Sequence, residues 1–128
     1  MSFEKDINAL VAMSNKYGAD EEFVLAGGGN TSYKTADTLY IKGSGTSLAT
    51  ITVDGFVKID RAELEKIWSA KFSDVEAERE AQVLSMMMNS RKKGEEGKRP
   101  SVETLLHDLL PQKFVLHVHP ALVNGITC

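Results

Sequence analysis

A single cysteine, Cys128, is all the thiol chemistry in 128 residues. It excludes an internal disulfide. The opening Met1-Ser2-Phe3-Glu4-Lys5-Asp6 has no basic stretch followed by an apolar core, so no secretory signal is visible and a reducing cytoplasm is the expected compartment. Positive charge is scarce too: 15 Lys and Arg against 18 Asp and Glu give a formal net charge of -3. Without a basic excess there is no footprint for a nucleic-acid backbone, and that partner class is disfavoured. No apolar run approaches the roughly 20 residues that cross a bilayer, so no membrane partner is expected. Internal repeats, low-complexity linkers and a second domain boundary are all missing. What remains is ordinary: 42% apolar and 26% charged residues, the balance of a soluble globular domain long enough for one real core.

Apolar residues at helical spacing (Phe3, Ile7, Leu10, Val11) predict a first helix, capped by Ser2 and ended by Gly18. Phe23–Ala26 reads as a short strand, interrupted by Gly27-Gly28-Gly29-Asn30 and resumed over Thr31–Lys34. Thr38–Lys42 is a further strand, and Gly43–Ser47 a second Gly/Ser loop. Asp54-Gly55, between Ile51–Val53 and Phe56–Ile59, signals a two-residue hairpin. Asp60 caps a helix over 61–70 with Glu63 at the capping-box position, and Ser73 with Glu76 repeats the device for a helix to about Asn89. Val75, Ala81, Val83, Met86 and Met87 are its expected core positions. Residues 91–98 read as a solvated charged turn, 101–110 as a helix and 114–119 as a strand stopped by Pro120. The order predicts an α/β fold with a mixed, mainly antiparallel sheet flanked by helices.

Four features carry chemistry. His117 and His119 stand at i and i+2 of a strand and share a face, which suits a divalent metal that accepts imidazole nitrogen. Glu103 sits near the start of a helix, where the macrodipole favours a carboxylate, or where a general base beside a metal could stand. Gly28-Gly29-Asn30-Thr31-Ser32 and Lys42-Gly43-Ser44-Gly45-Thr46 follow strands and could expose backbone N–H groups to an anion, or simply turn the chain. Neither matches the dinucleotide or P-loop fingerprint. His107, four residues after Glu103, could approach a metal but reads more readily as a core histidine.

Together these runs resemble the class II aldolase/adducin family. Gly28–Ser32 is similar to its Gly-Asn-x-Ser loop, and Lys42–Gly45 to its second phosphate loop. Pro100-Ser101-Val102-Glu103-Thr104 is similar to its Ser-x-Glu helix start, and Leu116–Pro120 to its His-x-His strand. The likeness is strongest to the branch with bifunctional rhamnulose-phosphate aldolase/dehydrogenase proteins. The resemblance implies a three-layer α/β/α fold and a zinc-dependent lyase acting on a sugar phosphate such as a ketose 1-phosphate. It implies His117 and His119 as zinc ligands, and Glu103 as the catalytic acid/base. Gly29, Asn30, Ser44, Gly45 and Ser101 would bind phosphate. A homo-oligomer is the expected state. Val102 stands where the family often has a second serine, and no histidine follows His119 to supply the third zinc ligand. With an apolar segment at its end, the chain is expected to be the truncated N-terminal part of a single domain, its zinc site incomplete. The alternatives are a family epimerase, dehydratase or decarboxylase, or a non-catalytic adducin-like binding domain.

Overall fold

The computed structural model describes residues 2–19, 29–101 and 103–117. The strand expected over 23–26, together with His119 and the apolar end of the chain, lies outside the described residues. Four strands, β1 (Asn30–Lys34), β2 (Thr38–Lys42), β3 (Phe56–Asp60) and β4 (Phe114–His117), form one sheet in the order β3-β2-β1-β4. Every pairing in it is antiparallel. Period-2 alternation then gives each face its own partner. Tyr33, Tyr40 and Phe56 turn toward α1 (Ser2–Gly18) and bury Ile7 and Leu10. Leu39, Ile41, Val57 and Ile59 turn the other way, onto Leu64 and Ile67 of α2 (Arg61–Ser69) and Met87 of α3 (Glu76–Asn89). The short α4 (Thr104–Leu109) lies on this second face. The result is three layers, α/β/α, as expected. Among the described residues no helix is long and apolar enough to cross a membrane.

Polar groups between the layers are paired. Ser14 Oγ and Thr31 Oγ1 share a buried hydrogen bond of 2.6 Å between α1 and β1. Asn15 donates to Leu48 O and Ile51 O and so pins the connection after β2 against α1. Asp6 receives Tyr33 OH at 3.0 Å and Lys113 Nζ at 2.7 Å.

Several local expectations give way to tertiary contacts. Asp54-Gly55 does not make a hairpin: Val53–Gly55 is a 3₁₀ turn, and β3 pairs with β2 instead. Gly55 is needed because Ile51 Cγ1 lies 2.4 Å from where a Cβ would stand. The Asp60 carboxylate caps α2 through Ala62 N. Glu63 forms no capping box; it pairs with Lys66, and Asp60 N donates to Ser90 O. In α3, Val83, Met86 and Met87 face inward, but Val75 is 57% exposed and Ala81 is exposed as well. The helix starts one residue after Val75, so its inward stripe begins later. The charged stretch 91–98 is more than a solvated turn. Lys92 N donates to Lys58 O, and the buried Glu95 carboxylate accepts from Lys58 N, so this loop covers the outer edge of β3. Covering an edge in this way blocks strand addition by another chain.

Gly18 closes α1, but for a packing reason. A Cβ there would stand 2.5 Å from Ala49 N and from Leu48 C, both backbone atoms that cannot swing aside. Alanine is the better helix former by up to about 1 kcal/mol, whereas overpacking costs about 1–3 kcal/mol. The clash wins, so Gly18→Ala should lower the urea midpoint, and a midpoint at or above wild type would show that α1 can lift from the 48–49 backbone without loss.

Candidate functional site

In an antiparallel sheet the start of β1 lies beside the ends of β2 and β4. The register puts Asn30 directly across from His117. On the other side, the β1–β2 ladder stops at Ser32↔Ile41. Beyond that point the segment 99–101 takes the place of β1. Ser101 N donates to Lys42 O at 3.0 Å, Ser44 N donates to Arg99 O at 2.7 Å, and Gly43 bridges to Pro100. Ser44 Oγ also reaches Pro100 O at 3.3 Å. Gly29, Asn30, Ser44, Gly45, Ser101, Glu103 and His117 thereby gather at one end of the sheet.

Their local conformations fit the chemistry asked of them. Gly29 has φ 88° and Gly45 φ 86°, a left-handed backbone that side chains disfavour. Among the described residues nothing lies within 4 Å of a Cβ built on Gly45. Gly45 lines a depression of about 360 Å³ together with Thr46, Ser47, Thr50 and Thr52. Ser101 is buried and its Oγ accepts from Glu103 N at 3.1 Å. Glu103 is half-buried and is the N-cap residue of α4, which starts at Thr104, three residues later than expected.

His107 is a core histidine: it is fully buried on α4, with Nδ1 2.6 Å from Ser32 Oγ. Among the described residues, no three His, Cys, Asp or Glu side chains form a cluster able to hold a metal. The described residues alone therefore do not fit a complete zinc site. His117 occupies the register position opposite Asn30, and His119 lies outside the described residues.

The sequence reading missed two buried lysines. Lys42 is 5% exposed, with Nζ 2.8 Å from Thr46 O and 3.4 Å from Gly43 O. Among the described residues it has no carboxylate partner, and burial holds its ammonium below the ordinary lysine value. Lys34, also 5% exposed, donates to His107 O at 2.6 Å. Burial lowers it most and Arg61 adds to that, while Asp108 opposes. The available signal was the position of each lysine at the end of an otherwise apolar or hydroxyl-rich strand, where charge is costly without a task.

The family pattern described as "Class II Aldolase and Adducin N-terminal domain" matches residues 8–128. A solved structure, "Structure of the N-terminal Class II Aldolase domain of a conserved protein from Thermoplasma acidophilum", is similar at 35% identity and a TM-score of 0.77, over 95% of this chain and 58% of that one. "Uncharacterized oxidoreductase YuxG" of Bacillus subtilis (strain 168) is 35% identical over 133 residues, 97% of this chain and 18% of that protein. The chain thus spans less than two thirds of either relative.

Lys42 offers a stability test. Between its lowered value and the ordinary 10.5, the unfolded chain binds more protons than the folded one, so the lysine costs stability at neutral pH and the cost fades as pH rises toward 10.5. Lys42→Met should therefore be more stable than wild type near pH 7, with a higher urea midpoint. Urea midpoints of both proteins near pH 7 and near pH 10 check this; an advantage that grows with pH contradicts it.

Proposed function

Because this chain belongs to the class II aldolase and adducin family, we propose that it is the N-terminal part of a zinc-dependent lyase that cleaves a ketose 1-phosphate into dihydroxyacetone phosphate and an aldehyde. The observation that carries this reading is the gathering of two glycine-rich turns, Asn30, Ser44, Ser101 and Glu103 at one sheet end beside His117. Gly29 and Gly45 present backbone N–H groups to the substrate phosphate, and the hydroxyls of Ser44 and Ser101 with the Asn30 amide complete its contacts. The buried Lys42 ammonium, placed between Gly43 and Thr46, supplies positive charge to the same loop. Glu103 takes the proton next to the carbonyl of dihydroxyacetone phosphate in the condensation direction and returns it to the enediolate in cleavage. Zinc, with His117 and His119 among its ligands, would supply Lewis acidity at the carbonyl and hydroxyl oxygens. A homo-oligomer in the cytoplasm is the proposed setting.

The naming of the Bacillus subtilis relative as an oxidoreductase favours a second reading, in which the whole protein oxidises or reduces the same class of substrate. Neither glycine-rich loop here carries a dinucleotide fingerprint, so that activity would use residues outside this chain.

Full-length protein assayed against a panel of sugar phosphates, with and without chelator, tests both readings when nicotinamide absorbance is followed alongside aldehyde release. Aldehyde release that survives complete metal removal contradicts the lyase. Glu103→Gln keeps volume and helix start but cannot accept the proton, and should lower kcat by about 10²–10⁴-fold with unchanged circular dichroism. A loss under about threefold would reduce Glu103 to a helix-start residue.

A further inference from the structure

We propose that Lys34 and Arg61 are positioning residues for Glu103: they grip the C-terminal end of α4 and so fix the end of the helix at which Glu103 stands. The proposal rests on the reading of Glu103 as the acid/base. It begins from the length of α4, six residues. An isolated helix that short does not persist in water, and most of its backbone groups lie in the unsatisfied first and last turns. At its boundaries Thr104 N donates to Ser101 O, His107 N to Glu103 O and Leu110 N to Leu106 O. Its place must come from other elements.

Ser101 N to Lys42 O holds the approach to its start, and further elements meet at the helix C-terminus, where the helix dipole favours positive charge. From β1, Lys34 Nζ donates to His107 O at 2.6 Å, a carbonyl in the last turn. From α2, Arg61 Nε donates to the Asp108 carboxylate at 2.7 Å and Nη2 reaches Asp108 O at 3.5 Å. Arg61 Nη1 also holds Thr35 O at 2.8 Å, tying this grip to the chain just after β1. Ser32 Oγ, 2.6 Å from His107 Nδ1, adds a third point of attachment. The contacts are interior: His107 is fully buried, Asp108 is 6% exposed and Lys34 5%. Leverage follows from length. A helix of six residues is about 9 Å long, so a tilt of about 6° about one end moves the other by about 1 Å. A misplacement of about 1 Å at a reacting group can cost about 10²-fold in rate.

The test uses full-length protein and two readouts. One is hydrogen exchange of the amides over 103–110, which needs no activity. The other is enzyme-dependent exchange of the dihydroxyacetone phosphate carbon-bound proton with deuterated water, the partial step assigned to Glu103. For Lys34→Met the expected result is at least about tenfold faster α4 amide exchange, with β2 amides unchanged. Proton exchange should fall about 10–100-fold with KM within about threefold of wild type, and Lys34→Arg should recover part of the loss. Should Lys34→Met not fold, Arg61→Lys, which keeps the charge but loses the fork, is read the same way. Unchanged α4 amides, or loosened amides with a wild-type proton-exchange rate, overturn the positioning role. If wild-type protein exchanges no proton, the reading of Glu103 falls and the positioning role with it, while the amide readout still reports separately whether the cations hold α4.

Discussion

The pairing of Lys42–Ser44 with Arg99–Ser101 is the constraint on which the candidate site depends. Strand β1 leaves β2 after Ile41, and unpaired backbone groups at that point would be costly. The segment 99–101 satisfies them, through Ser101 N to Lys42 O and Ser44 N to Arg99 O. Residues more than fifty positions apart in the chain are thereby held side by side by backbone bonds, which do not depend on rotamers. A glycine-rich turn on one side and the approach to α4 on the other become a single rigid corner. The opposite ladder of β1, with β4, brings His117 to the same end.

Charge placement in the fold has a direction. The surface carries both signs, yet two lysines are withdrawn from water, Lys42 at this corner and Lys34 at the opposite end of β1, and neither has a carboxylate within an ion pair among the described residues. Both bond to carbonyl oxygens instead. Ammonium groups held by carbonyls alone are poorly compensated, and a fold selected for stability would place apolar volume there. Lys34 and Arg61 meet a helix C-terminus, and Lys42 meets a turn with an open glycine. In each case the cation lies where the proposed chemistry needs order or positive charge, so stability is given up where function asks for it.

Glycine shows how one residue type serves unrelated physical needs. Gly29 and Gly45 adopt positive φ, the property that marks them in sequence as turn formers. Gly18 and Gly55 do not; they are glycines because a backbone in one case and an isoleucine side chain in the other come too close for a Cβ. A motif reading of Asp54-Gly55 as a hairpin confuses the second need with the first.

The sequence by itself determined the α/β class and most element types among the described residues, the strand expected over 51–53 being the exception, because hydrophobic period and turn chemistry are local. Strand β2 appears over the residues that its pattern predicts, and α1 likewise. His107 was readable as a core histidine, although the buried face it shares with Thr104 and Asp108 is polar and Leu106 and Leu109 are exposed. Tertiary structure alone decided that β3 pairs with β2 rather than with 51–53, that α4 starts at Thr104, and that residues 91–98 cover a sheet edge. It also decided that Lys34 and Lys42 are buried, and that Asn30 meets His117. Those outcomes depend on which surfaces meet, and contacts between residues distant in the chain outweigh local preferences of a few tenths of a kcal/mol to about 1 kcal/mol wherever the two compete.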